Sequence, residues 1–145
     1  MPARNTGGRV ASMQGSCLCG AVRFELTGEF QAVVHCHCAS CKKLAGGGST
    51  TSGLLPTSEI RILEGEELLR TFKPADGKAK TFCTTCGSNL FGAGYPESEA
   101  TAVRLATLDS GLDQQPRAHI FVRSVAPWET LPEDGLPRFD ERPAG

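Results

Sequence analysis

No stretch of this 145-residue chain approaches the roughly 20 consecutive apolar residues needed to cross a bilayer, and Met1 to Ser16 lacks the apolar centre of a secretory signal. A cytoplasmic location with no membrane partner is therefore expected. No Lys/Arg cluster resembles a phosphate-tracking patch, and the formal charge is only −1, so nucleic acid is not expected as a partner. A Ser-His-Asp arrangement is not in evidence, and no paired carboxylates stand at a diagnostic spacing, which leaves a general acid or base unassigned. Long apolar runs are scarce as well. Seventeen Gly and nine Pro interrupt the chain, which favours short strands joined by turns and a mainly β protein of one domain.

What the chain does have is sulfur. All seven cysteines fall into three motifs, Cys17-Leu18-Cys19, Cys36-His37-Cys38-Ala39-Ser40-Cys41 and Cys83-Thr84-Thr85-Cys86. An odd count without a secretory signal argues against a disulfide framework and for thiols kept free for metal. On a strand, C-x-C turns both side chains to one face, and such a face suits a metal ion. Seven divides as four plus three: four thiolates close a tetrahedral zinc shell, whereas three leave one position for water or a substrate atom. One closed site and one open site are expected. Taken alone, Cys83-x-x-Cys86 could be a redox pair, but no βαβ setting surrounds it, and pairing with Cys17 and Cys19 favours zinc.

Along the chain, residues 1–14 read as a loose tail. Val22, Phe24 and Leu26 alternate with Arg23 and Glu25 as a half-buried strand, and a second strand, Ala32 to Cys36, delivers the cysteine triplet. The C-x-x-C that follows suits a tight turn or one helical turn through Ala39 to Leu44. Lys42 and Lys43 read as a solvated pair, or as an attraction for an acidic ligand near the open site. Gly46-Gly47-Gly48 lacks the Lys-Ser/Thr of a phosphate loop. Further strands are expected over Ser49 to Leu55, Lys78 to Phe82, Thr101 to Leu108 and His119 to Val122, with a hairpin of Ile60–Ile62 and Leu68–Phe72 turning at Gly65. Leu131 to Gly145 should lie irregularly over the surface.

The histidines invite restraint. By alternation His35 and His37 point away from the sulfur side and read as satisfied or supporting groups rather than ligands. His119 is either a structural hydrogen-bonding group or part of the site, and Trp128 is expected in the core or on a pocket wall.

Together, Gly15-Ser16-Cys17-Leu18-Cys19-Gly20-Ala21-Val22, Cys36-His37-Cys38 with Cys41, Phe82-Cys83-x-x-Cys86-Gly87, and His119-Ile120-Phe121-Val122 through Ala126-Pro127-Trp128 resemble the glutathione-dependent formaldehyde-activating family, which includes the centromere-protein-V-like proteins. The resemblance runs in order from about Gly15 to Phe139. It implies an Mss4-like fold of several small antiparallel sheets organised around zinc, with a domain over 15–139 and tails at 1–14 and 140–145. It further implies two zinc ions: a structural one on Cys17, Cys19, Cys83 and Cys86, and a catalytic one on Cys36, Cys38 and Cys41. The implied activity is that of a carbon–sulfur lyase resembling S-(hydroxymethyl)glutathione synthase, adding glutathione or a similar small thiol to formaldehyde or another small aldehyde, and the reverse. Where the family often carries Lys before Ala-Pro-Trp, this chain has Val125. The competing expectation is a zinc-stabilised Mss4-like binding module without catalysis, in which His37 or a distant side chain closes the triplet.

Overall fold

A computed structural model describes residues 12–143. In chain order its strands are β1 (Met13–Ser16), β2 (Arg23–Leu26), β3 (Ala32–Cys36), β4 (Thr50–Pro56), β5 (Ile60–Glu64), β6 (Leu69–Phe72), β7 (Lys80–Cys83), β8 (Asn89–Gly92), β9 (Ala100–Arg104), β10 (Leu108–Ser110) and β11 (His119–Ile120). One helix, α1 (Ala39–Ala45), follows β3. The strands form two sheets, a four-stranded one in the order β10-β1-β2-β5 and a seven-stranded one in the order β11-β3-β4-β9-β8-β7-β6. The pairings are antiparallel except at one edge, where β11 runs parallel to β3.

The alternation read in the sequence decides which faces meet. Val22, Phe24 and Leu26 turn inward beside the smaller sheet, and Val33, Leu55, Phe91 and Val103 turn inward from the larger one, with Leu90 buried in the same cluster. Phe24 and Phe91 meet edge to face across this core, with ring centroids 5.0 Å apart. Each such side chain contributes about 1.5–3 kcal/mol on full burial, so the sheets have an apolar core besides any metal.

Several elements depart from the sequence reading. Met13 and Gln14 belong to β1, paired with β2 and β10, rather than to a tail; residues 1–11 of that expected tail lie outside the described residues. The segments expected as a hairpin about Gly65 do not pair with each other. β5 joins β2 in the smaller sheet, whereas β6 joins β7 in the larger one. Gly65 still turns the chain, at φ 82°, where a side chain would also strike the Ala21 carbonyl, 2.3 Å from an added Cβ. Thr101 to Leu108 is likewise two strands in two sheets, β9 and β10, separated by a single 3-10 turn at Leu105–Thr107. The C-terminal segment is irregular but pinned. Phe139 N–H donates to the His119 carbonyl, Phe121 N–H donates to the Glu141 carbonyl, and His119 N–H donates to the Pro137 carbonyl. The expected tail at 140–145 is thus engaged at Glu141, while 144 and 145 lie outside the described residues.

Candidate functional site

Both cysteine pairs of the first cluster sit on tight turns. Cys17 and Cys19 follow β1, and Cys83 and Cys86 stand at the end of β7, so one turn comes from each sheet. Gly20 and Gly87 close these turns at φ near +80°, and an added Cβ at either would meet nothing, so the glycines serve backbone conformation rather than space. Gly87 N–H donates to the Cys83 carbonyl, and Val22 N–H donates to Cys17 Sγ at 3.3 Å. Leu18 N–H reaches across to Ser88 Oγ at 2.8 Å, clipping one turn to the other. The four sulfurs lie within 4.8 Å of one another, with Cys17 and Cys19 Sγ 3.6 Å apart, and all the thiols are free. A tetrahedral ion with metal–sulfur bonds of about 2.3 Å separates its sulfurs by about 3.8 Å, so the group fits such an ion. The Ser88 hydroxyl beside Cys86 holds that thiol down to about 5.

The second cluster is built by one strand end and one helix start. β3 carries Cys36, and Cys38 is the N-cap of α1, its sulfur accepting from Cys41 N–H at 3.4 Å. Cys41 is buried on the first turn. The three sulfurs lie within 4.8 Å of one another, and among the described residues no fourth His, Cys, Asp or Glu atom joins them. Charge cannot spread evenly over thiols this close. Hydrogen bonding to Cys36 and Cys41 holds Cys38 down to about 2, while Cys38 and Cys41 push Cys36 well above the ordinary thiol range. A bound cation removes that conflict by letting all the sulfurs ionise together, so the donor set fits a metal.

The triplet opens onto a cavity of about 900 Å³. Its floor is one face of the larger sheet, fixed by register: Val34 opposes Ser52, Ser52 opposes Arg104, and Leu54 opposes Ala102. The opposite face of the same strands carries Val33, Leu55 and Val103 into the core. Ile120 and Phe121 wall the cavity beside the cysteines. Lys42 does not line it; its ammonium donates to the Ser124 carbonyl, while Lys43 is exposed. The glycine run ends α1, with Gly46 in the left-handed C-cap conformation.

His35, His37 and His119 gather on the reverse of the triplet. His35 and His119 stack at 4.8 Å between centroids, and His35 Nδ1 lies 2.8 Å from Thr51 Oγ1. Burial holds the imidazoles of His35 and His37 below the ordinary value, which favours their neutral forms. Asp134 Oδ2 lies 2.8 Å from His119 Nε2, and His119 Nδ1 lies 3.0 Å from His37 Nε2. The His119 hydrogen bond holds the Asp134 carboxyl below its ordinary value, so this carboxylate accepts from His119 Nε2–H. His119 Nδ1 and His37 Nε2 share the second bond of this chain, one ring donating to the other. None of the three belongs to the sulfur groups, as alternation implied.

Substituting His119 with Ala is expected to leave His37 Nε2 without its partner in a buried site and to leave Asp134 only its bond from Leu136 N–H. A loss of roughly 1–3 kcal/mol follows from the unmade buried bond. Thermal unfolding, with faster amide exchange at Val122 and Phe139, checks this; unchanged exchange at those amides would refute the tie.

Trp128 is the clearest misplacement of the sequence reading, since it is 71% exposed and belongs to neither core cluster. The buried residue of its segment is Ala126. Asp134 and Arg104 were not singled out at all. Arg104 did leave a signal: it is a charged residue on an otherwise small and apolar alternating face that ends at Ala102 and Gly92.

A family model described as "Glutathione-dependent formaldehyde-activating enzyme" matches residues 12–124, which include both cysteine clusters and His119. The chain belongs to this family. A relative from Halomonas elongata, named "Putative glutathione-dependent formaldehyde-activating enzyme", is 28% identical over 123 residues, covering 80% of this chain and 78% of the relative. A crystal structure of a Rhodobacter sphaeroides protein matches with a TM-score of 0.57 at 22% identity, covering 87% of this chain and 99% of that one. That likeness concerns the fold, and the mainly β, Mss4-like architecture expected of the glutathione-dependent formaldehyde-activating family is the one found here. The family match ends before Trp128 and Asp134, so the Asp134 contact lies in a part of the chain outside it.

Proposed function

We propose that this chain is a zinc-dependent carbon–sulfur lyase that adds the sulfur of glutathione, or a similar thiol, to formaldehyde and also runs the reverse reaction. The observation carrying this reading is the triplet itself: three sulfurs within 4.8 Å, without a fourth protein ligand among the described residues, opening onto a large cavity. Cys36, Cys38 and Cys41 would hold one zinc with a position to spare, and Cys17, Cys19, Cys83 and Cys86 would hold a second in a closed shell. Zinc bound in the open site would make an incoming thiol acidic enough to ionise near neutral pH.

The chain's own residues supply the rest. Cys41 N–H steadies Cys38 Sγ, and the start of α1 fixes where the incoming sulfur must arrive. Val34, Leu54 and Ile120 give the cavity an apolar lining on which the aldehyde carbon is held near that sulfur. In the forward step a sulfur–carbon bond forms, the carbonyl π pair moves onto oxygen, and the proton lost by the thiol ends on that oxygen. The reverse step breaks the sulfur–carbon bond.

Exchange NMR with ¹³C-formaldehyde and glutathione tests this directly. Zinc-loaded protein is expected to speed interconversion of free aldehyde and S-hydroxymethyl adduct above the spontaneous rate, and chelation followed by zinc is expected to abolish and restore the gain. No acceleration by protein carrying zinc in both sites would favour the zinc-stabilised binding module instead.

A further inference from the structure

Arg104 is only 7% exposed, yet its guanidinium is poorly matched by the protein around it. Nη1 donates to Ser52 Oγ at 2.9 Å, a neutral partner, and buried Nε has no partner among the described residues. No carboxylate pairs with Arg104 among those residues either. Burying a charge without a counter-charge is costly, which makes an unpaired guanidinium on a cavity floor a group waiting for an anion. The sheet holds it there deliberately. Ser52 opposes Arg104 in the β4–β9 register, on the same row as Val34, two residues before Cys36. Gly92 leaves room for the fork: an added Cβ would stand 2.4 Å from Arg104 Nη2. Around the cavity, Lys73, Lys78, Lys80 and Arg142 outnumber Asp76 and Glu97, so the surrounding charge also favours an anion.

We propose that Arg104, braced by Ser52 and accommodated by Gly92, is the carboxylate anchor of this cavity, so that the thiol delivered to Cys36, Cys38 and Cys41 is one bearing a carboxylate. The proposal rests on the reading of the triplet as a thiol site and adds to it the residue that selects which thiol. A guanidinium presents two parallel N–H donors that match a carboxylate, a geometry no lysine on the rim reproduces. Arg104 is thus a specificity residue of the cavity, with Ser52 and Gly92 as its positioning residues.

The test uses the zinc-loaded full chain and calorimetric binding of S-methylglutathione, whose blocked sulfur removes any dependence on thiol chemistry, beside its diethyl ester. The parent is expected to bind the acid at least tenfold more tightly than the ester. Arg104→Gln should weaken the acid by roughly 10- to 100-fold, the span expected for a lost charge-assisted bond, and leave the ester unchanged. Gly92→Ala should act in the same direction by less, because it displaces the fork without removing its charge; where R104Q does not fold, this variant decides. Arg104→Lys should recover only part of the preference. In turnover, KM for glutathione should rise more than kcat falls. Equal binding of acid and ester by the parent, no binding of either, or a preference intact in both R104Q and G92A would overturn the proposal. Failure of formaldehyde chemistry with every thiol would remove the lyase reading alone, since the blocked-thiol preference is measured independently of it.

Discussion

Serine at position 41 is expected to leave a folded protein with one zinc fewer per chain, glutathione binding weakened to that of its sulfur-blocked derivative, and formaldehyde turnover lowered by about two to three orders of magnitude. The size follows from what is lost, because activation by a bound metal is worth several kcal/mol and each 1.36 kcal/mol is a factor of ten. The hydroxyl of serine ionises far less readily than a thiol and is a poor replacement ligand. Folding should survive, because Cys41 lies in the small cluster with Cys36 and Ile120 rather than in the main core. Metal stoichiometry on anaerobically purified protein, beside a glutathione titration with and without formaldehyde, reads all of this. Retention of two zinc ions and full thiol affinity in Cys41→Ser would remove the triplet from the proposed mechanism.

The opposite pattern is expected of Cys83→Ser. Cys83 has no exposed surface, belongs to the main core, and ends the strand that carries one half of the four-sulfur cluster. Its loss should open the closed shell and leave three sulfurs and a buried hydroxyl between the sheets. Zinc binding to structural sites contributes on the order of 10 kcal/mol in isolated fingers. Even a third of that here would lower the melting temperature by about 10 °C for a domain of this size. Thermal unfolding with and without chelator checks it, and chelation should destabilise the parent to a similar degree. A melting temperature within a degree or two of the parent's would mean that the four-sulfur group bears no metal of structural consequence. The two variants therefore divide the roles: one should lose function with little stability, the other stability before function.

The cysteine partition was legible in the sequence because each motif is local. Cys83-x-x-Cys86 announces a tight turn, whereas C-x-C read as strand spacing and Cys17-x-Cys19 instead turns just beyond β1; Gly20 and Gly87 mark where the two turns take positive φ. β3 was legible with its bounds, and so was the single turn after Cys38, which became α1. Sheet membership was not. Ile60–Ile62 and Leu68–Phe72 alternate in the same manner, and alternation says which face is buried but not which partner a strand takes. β8 escaped notice because its residues, Asn89–Gly92, follow directly on the cysteine turn and are too few to show a period.

Charged groups fared worst, for a related reason. Arg104 gains its meaning only when β4 sets Ser52 beside it and β8 leaves Gly92 open above it. Asp134 sits among turn residues with no periodicity, and only the parallel entry of β11 brings His119 within its reach. Trp128 read as an anchor from its chemistry, yet it is exposed, and Ala126 is the buried residue of its segment.

The parallel pairing of β11 with β3 also sets the order in which the molecule can be finished. Arg117 N–H donates to the Val33 carbonyl, His35 N–H to Ala118, and His37 N–H to Ile120, so the backbone flanking the triplet is held by a segment that arrives late. His37 and His119 are 82 residues apart in the chain, and Leu18 and Ser88, which clip the other cluster, are 70 apart. Loops of this length close slowly, since their entropy is spent before any contact rewards it. During synthesis the four-sulfur cluster has all its members once Cys86 is out, whereas the triplet lacks its backing until the chain beyond Ile120 has emerged. The four-sulfur cluster can therefore assemble before the backbone that backs the three-sulfur cluster is available to pair with it.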